Sequence, residues 1–218
     1  MAERKQKVTQ EKQQDNMVVL IGKITSIRTT GKSTIVRVRI PRRGRRGDPK
    51  FAVPKVYFFA EDQTDIENFL KDDNVKISGH LVNTRKRRLN GTYFYSQAVI
   101  GDKIEKNASL FKTEMGLEED FDMVAAQPVS LVYLHGPVEN ISQAGNRAYN
   151  IRMNARQNGR DNHVSVIDYD KDALLLMPGD EITVHGMIDT RVDDRGEIPK
   201  FYQNVIVQKL ENHTRQTK

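Results

Sequence analysis

The strongest constraint in this sequence is an internal duplication. Residues 20–24 (LIGKI), followed by a turn at Gly31, return as residues 134–138 (LHGPV), followed by a turn at Gly145. Two later matches, each 107 positions apart, are ISGHL at 77–81 with VHGMI at 184–188, and Phe94-Tyr95 with Phe201-Tyr202. A duplicated unit of this length predicts two similar small domains rather than one large domain.

Composition excludes several classes of protein. The 218 residues include no cysteine, which rules out disulfides and thiolate metal sites and fits a reducing compartment. No apolar run approaches the roughly 20 residues that a membrane span needs. Residues 1–16 are polar and lack the apolar centre of a signal peptide, so we expect a disordered tail there. These features together predict a cytoplasmic protein.

The two halves differ in charge. Residues 1–110 carry 23 Lys/Arg and 12 Asp/Glu, a net charge of +11, whereas residues 111–218 carry 12 and 17, a net charge of −5. The copies have therefore diverged in electrostatics while keeping a common pattern. A strongly basic first half predicts a polyanionic partner.

Each half shows five strand patterns with a helix between the third and the fourth. The predicted strands are 18–28, 34–40, 56–60, 74–84 and 92–100, then 130–141, 147–156, 162–167, 181–191 and 200–210, with helices at 61–70 and 170–177. The predicted organisation is a tail at 1–16, a first unit at 17–106, a linker at 107–128, a second unit at 129–211 and a tail at 212–218.

This order is the plan of the OB-fold, a five-stranded Greek-key barrel. The segment MPGDEITVHG at 177–186 and its counterpart DDNVKISG at 72–79 look like the turn into the fourth strand of OB-folds. Together with Gly22 in the first strand, the chain resembles bacterial-type single-stranded-DNA-binding proteins, including members with two OB-folds per chain. The resemblance implies an all-β fold with a minor helix, two tandem OB-folds, single-stranded DNA as partner and a homodimer.

Single strands are held by cations along the phosphates and by aromatic faces under the bases. The first half supplies both, including the clusters RRGRR at 42–46 and RKRR at 85–88, which are predicted to be loops. Phe58, Phe69 and Phe94 are expected in the core, whereas a core or a stacking role stays open for the tyrosines. The candidates are Arg28, Lys32, Arg37, Arg39, Arg42, Arg43, Arg45, Arg46, Lys55, Tyr57, Phe59, Arg85, Lys86, Arg87, Arg88, Tyr93 and Tyr95.

The second half offers fewer candidates. Asp189, Asp193 and Asp194 stand where the first half has its arginine-rich hairpin, so we expect auxiliary binding and subunit contact from this half. Its candidate nucleic-acid-binding residues are Arg147, Tyr149, Arg152 and Arg156.

Catalytic motifs are missing from the sequence. None of the five histidines falls in a metal-binding spacing, and there is neither a phosphate-binding loop nor a nucleophile elbow. We therefore expect no enzyme activity, no cofactor and no metal. The predicted function is sequence-independent binding and protection of single-stranded DNA in replication, recombination or mobile-element transfer, with a nucleoid location if the source is bacterial. An RNA-binding module and a protein-contact adaptor of a nucleoprotein complex are the alternatives.

Overall fold

The computed structural model describes residues 15–43, 49–59, 66–87, 91, 93–106, 130–194 and 200–214. The strands are β1 (Asn16–Thr30), β2 (Ser33–Arg43), β3 (Pro49–Ala52), β4 (Lys55–Phe59), β5 (Asn74–Arg87), β6 (Tyr93–Lys106), β7 (Ser130–Gly145), β8 (Ala148–Asn154), β9 (His163–Asp168), β10 (Glu181–Asp193) and β11 (Lys200–Asn212). Only β3 has no counterpart among the predicted strands. No helix in these residues is long and apolar enough to cross a membrane.

The strands close into two five-stranded barrels. In the first, neighbours follow the cycle β1-β2-β4-β6-β5 and back to β1, with β4 and β6 parallel and the other pairs antiparallel. In the second, the cycle is β7-β8-β9-β11-β10, with β9 and β11 parallel. Both cycles follow the same plan, and the predicted fold of two tandem OB-folds is confirmed.

The first strand of each barrel pairs with two neighbouring strands of that barrel, which requires a sharp bend. Residues 18–23 of β1 pair with β5, residues 23–30 pair with β2, and a bulge separates Ile24 from Ser26. Gly22 lies at this corner, where an added Cβ would stand 2.4 Å from the backbone oxygen of Arg39. Its counterpart Gly136 combines a φ of 148° with a Cβ position 2.1 Å from the oxygen of Asn154. Only glycine fits such approaches.

Alternate residues of every strand point into the core. In β2, Val36, Val38 and Ile40 are buried whereas Arg37 and Arg39 are exposed, as the alternation predicted. Counterparts in the two barrels are buried alike, as in the pairs Val18 and Val132, Leu20 and Leu134, and Ile24 and Val138.

The three phenylalanines expected in the core have different outcomes. Phe58 is buried in it, as predicted. Phe69 is partly buried and packs against it. The side chain of Phe94 lies outside the described part of the molecule.

A local twofold axis relates the barrels. Strands β1 and β7 pair antiparallel, with Val18 opposite Val132, and the flanking pairs are Asn16 with Leu134 and Leu20 with Ser130. Since Val18 and Val132 are counterparts in the duplication, the pairing is symmetric about them. The ladder therefore joins both barrels into one sheet in the manner of an isologous contact within a single chain.

Two glutamines connect the barrels symmetrically. Gln97 of β6 receives a hydrogen bond from the Ser165 backbone N–H (2.9 Å) and donates to its carbonyl (3.1 Å). Gln203 of β11 bonds the backbone of Lys55 in the same way, at 2.8 and 3.4 Å. The two glutamines are counterparts in the duplication. Asn83 and Thr190 are 107 positions apart, like the other matches between β5 and β10, and they pair with Gln97 and Gln203 respectively.

The residue pairing in the last two strands of each barrel corrects one of the matches between the two halves of the sequence. The last strands correspond with an offset of 106 positions, because Gln97 matches Gln203. Tyr95, rather than Phe94, is therefore the counterpart of Phe201. The glycine match of Gly79 with Gly186, 107 positions apart, is retained, since each lies opposite a bulge of its partner strand.

Some predicted boundaries differ from the structure. Asn16, assigned to the disordered tail, begins β1 and is buried, because its side chain exchanges two hydrogen bonds with the Leu81 backbone (2.8 and 3.0 Å). His213 and Thr214, assigned to the second tail, bond to Glu181. The second predicted helix is a 3-10 helix at Lys171–Leu175, and the first is described only as a 3-10 turn at Ile66–Asn68. Residues 1–14, 107–129 and 215–218 lie outside the described residues.

Candidate nucleic-acid interface

The outward side of β1, β2 and β4 carries a group of cations. Arg37 pairs across the ladder with Ser26 on one side and Lys55 on the other, while Arg28 pairs with Ile35. The alternation that buries the valines of β2 sends its arginines outward. Arg28, Arg37 and Arg39 are all exposed, and none has a carboxylate partner among the described residues. We call this surface, formed by Arg28, Arg37, Arg39, Phe51, Tyr57 and Phe59, the basic face.

Aromatic side chains lie between these cations. Tyr57 is half-buried and Phe59 is 44% exposed, because both alternate with the buried Val56 and Phe58 of β4. The open question for Tyr57 is thereby answered, since its side chain is on the outward side. Phe51 of β3 is also exposed, and the Arg39 guanidinium lies over its ring at 5.0 Å. Phe51 was missed because β3 has no clear pattern in the sequence.

Lys32 and Lys55 lie at two edges of the basic face. Lys32 is exposed in the turn between β1 and β2. The Lys55 ammonium stands 4.1 Å from the centre of the Phe201 ring in the other barrel. Lys55 therefore contributes both to the contact between the barrels and to the charge of the face.

The arginine-rich cluster at 42–46 is not a free loop at its start. Arg42 lies in β2, opposite Lys50 of β3, and its guanidinium forms an ion pair with Asp189 of the second barrel. Next to it, the Val53 N–H donates to Thr190 Oγ1 at 2.7 Å. Arg42 is therefore not a free cation in this structure, and its role as a phosphate contact stays a prediction. The side chain of Arg43, and Arg45 and Arg46 altogether, lie outside the described residues.

The second cluster is also part of a strand. Arg85, Lys86 and Arg87 belong to β5 and pair with Tyr95, Phe94 and Tyr93 of β6, so the hairpin loop is shorter than predicted. For these six residues, which include the candidates Tyr93 and Tyr95, only the backbone is described, and Arg88 is outside the described residues.

The corresponding face of the second barrel differs from the basic face at the described counterparts of Arg37 and Tyr57. Arg152, the counterpart of Arg37, is held by Glu139 through Nε at 2.9 Å. His163 contacts the other oxygen of the same carboxylate at 2.5 Å. Ile167 stands where the first barrel has Tyr57. This face therefore lacks the free charge of Arg37 and the ring of Tyr57, whereas Tyr169 stands at the position of Phe59.

Two further candidate binding residues of this barrel, Arg156 and Tyr149, contact other residues of the same barrel. Arg156 lies 3.5 Å from Asp161, whose pKa is held below its usual range mainly by a hydrogen bond from Asn154 and also by the charge of Arg156. Tyr149 is partly buried and packs against the core, since it alternates in phase with the buried Ile151, and a binding role for it stays a prediction. Arg147 is exposed in the turn between β7 and β8.

Comparison by sequence finds no matching family model and no matching curated protein. Comparison of the fold finds the wild-type single-stranded DNA binding protein from Thermus aquaticus, with a TM-score of 0.58, 16% identity, and coverage of 92% of this chain and 93% of that one. A deletion mutant of the Thermus protein gives a TM-score of 0.55 at 17% identity, over 90% and 93% of the two chains. The chain resembles single-stranded DNA binding proteins in fold. The matched length includes both barrels.

The described residues of the basic face have the chemistry of a binding surface for a polyanion. No group of three or more His, Asp or Glu side chains is placed to hold a metal ion within these residues. The basic face combines exposed guanidinium groups with the exposed rings of Phe51 and Phe59 and the half-buried ring of Tyr57. Such a surface suits an extended polyanion with flat, stackable groups.

Proposed function

We propose that this protein binds single-stranded DNA with little sequence preference, and that it coats and protects strands in the cytoplasm during replication, recombination or mobile-element transfer. The observation that carries the proposal is the basic face, where three exposed arginines without carboxylate partners in the described structure alternate with three aromatic rings. The fold shared with the Thermus single-stranded DNA binding protein supports the same class of partner.

The mechanism is electrostatic attraction followed by stacking. Arg28, Arg37 and Arg39 attract the phosphates and release counterions, which supplies affinity that depends on salt but not on sequence. Bases then stack on Tyr57 or Phe59, and each stacked base contributes roughly 1–3 kcal/mol. Because these side chains stand on strands of a closed barrel, the backbone needs little ordering on binding, and the entropy cost is that of fixing the exposed side chains.

The test is a titration of the protein against single-stranded DNA, single-stranded RNA and duplex DNA of equal length and mixed sequence, each at two salt concentrations. We expect the tightest binding to single-stranded DNA, with an affinity that falls as salt rises. Preference for RNA would replace the proposal with an RNA-binding function. Absence of binding to all three would refute it and favour the protein-contact adaptor.

We further propose a homodimer that forms through the joint sheet. On its outward side, around the local twofold axis, Met17 and Val19 of β1 neighbour Leu131 and Tyr133 of β7, and all four are half-buried. An apolar sheet face with twofold symmetry suits a second copy of the same chain. Light scattering should give the mass of a dimer for the wild type and of a monomer for Val19→Glu. A monomeric wild type at micromolar concentration contradicts this proposal.

A further inference from the structure

The second barrel contains an open cleft that the basic face does not include. Its volume is about 850 Å³, and it lies between the β7–β8 turn, the end of β9 and the bulged part of β11. It is lined by Arg147, Asp168, Tyr169, Asp170, Lys171, Val207, Gln208, Lys209 and Leu210.

The registers of the two barrels explain why the cleft exists. Asp168 is the counterpart of Phe58, and Val207 is the counterpart of Gly101. In the first barrel the Phe58 ring fills the position so closely that a Cβ on Gly101 would stand 2.3 Å from it. The smaller Asp168 does not fill the same space, and its carboxylate is buried and accepts a hydrogen bond from the Asp170 N–H at 2.9 Å.

The cleft combines an exposed aromatic ring with two exposed cations. Tyr169 is 55% exposed at its rim, and Arg147 and Lys171 are exposed without a carboxylate within ion-pair distance in the described structure. By contrast, Arg152 on the outer face is neutralised by Glu139.

The duplication relates this cation and ring to a similar pair in the first barrel. Arg147 corresponds to Lys32, because each is the second residue of the turn between the first two strands of its barrel. Tyr169 corresponds to Phe59, because Tyr169 follows Asp168, Phe59 follows Phe58, and Asp168 and Phe58 are counterparts. The combination of a turn cation with an exposed aromatic ring is therefore common to both copies, whereas the outer faces differ.

We propose that this cleft is the nucleic-acid subsite of the second barrel, in which the Tyr169 ring stacks on a base and Arg147 and Lys171 contact the adjacent phosphates. The inference rests on the proposed function, because it assigns a second contact to the same strand. Lys209 contributes less free charge, as its ammonium is 2.5 Å from Glu211. Binding by the second barrel thus depends on the residues of this cleft and not on Arg152, which Glu139 neutralises.

The chain contains no tryptophan, which allows a direct test of stacking. Tyr169→Trp and Tyr57→Trp each introduce a single indole, one in the cleft and one on the basic face. We expect a single-stranded oligonucleotide of about 35 residues, long enough for two OB-folds, to quench both indoles. Tyr169→Ala should weaken binding of this oligonucleotide roughly five- to hundredfold and leave binding of one of about 6 residues unchanged.

The matched control is Leu174→Ala, because Leu174 is equally exposed on the neighbouring 3-10 helix but does not line the cleft. It should bind both oligonucleotides as the wild type does. Unchanged emission of Trp at position 169 while Tyr57→Trp is quenched, or unchanged affinity of Tyr169→Ala for the long oligonucleotide, overturns this inference and leaves the proposed function standing. If the wild type itself binds neither oligonucleotide, the proposed function fails and the inference fails with it.

Discussion

Replacing the three arginines of the basic face should change how binding responds to salt. In the variant Arg28→Ala, Arg37→Ala, Arg39→Ala, three exposed cations without carboxylate partners in the described structure are removed. Each phosphate contact on a single strand contributes about 0.7 to the slope of log affinity against log salt concentration. The slope should therefore become flatter by about 2. Because the side chains are exposed, we expect a stability change within about 0.5 kcal/mol.

The same slope gives a magnitude that a titration can measure. Raising salt from about 50 to 200 mM weakens each lost contact by about 2.6-fold, so three contacts account for a factor of about 20. The ratio of wild-type to variant affinity should thus be about 20 times larger at the lower salt concentration. Fluorescence anisotropy with a labelled oligonucleotide of mixed sequence, repeated at four or more salt concentrations, measures both slopes.

The duplication supplies a matched control for this experiment. Arg152 occupies in the second barrel the position that Arg37 has in the first, but it is bound to Glu139 at 2.9 Å. Arg152→Ala should therefore leave the slope unchanged, whereas Arg37→Ala alone should flatten it by about 0.7. Equal effects of the two single variants, or an unchanged slope in the triple variant, would refute the assignment of the basic face.

Two predictions concern stability and one concerns titration. Gly101→Ala should destabilise the fold by about 1–3 kcal/mol in urea unfolding, because its Cβ would stand 2.3 Å from the Phe58 ring, and Phe58→Leu should relieve part of this cost. Gln203→Ala should cost about 1–3 kcal/mol, because a backbone N–H and carbonyl of the other barrel lose their partner. Lys209 holds the pKa of Glu211 below its usual range, so Lys209→Ala should raise that pKa in an NMR titration.

The sequence was sufficient for the fold because the signals that define it are local. Alternation along β2 separates the buried Val36 and Val38 from the exposed Arg37 and Arg39, and the same order of strands occurs twice. A closed barrel of five strands is the arrangement that buries one side of every strand while leaving no long free edge. The glycines at the corners, such as Gly22, mark where a strand changes partner.

The candidate site was less predictable because charges are neutralised by residues distant in sequence. Arg42 meets Asp189 across 147 positions, and Arg152 meets Glu139 from a neighbouring strand. The sequence therefore does not distinguish a free arginine from one that is paired with a carboxylate. Alternation places Tyr149 on the same side of β8 as Ile151, but the sequence alone does not show that this side is the buried one.

The packing of the barrels also changes how the charge of each half should be interpreted. Gln97 from the β5–β6 hairpin bonds the backbone of β9, while Gln203 from the β10–β11 hairpin bonds the backbone of β4. Each hairpin therefore borders the outer face of the opposite barrel. On the side of the first barrel, Asp189 of β10 already holds Arg42 next to the basic face. Net charges of +11 and −5 assigned by sequence halves consequently overstate the electrostatic difference between the two faces in space.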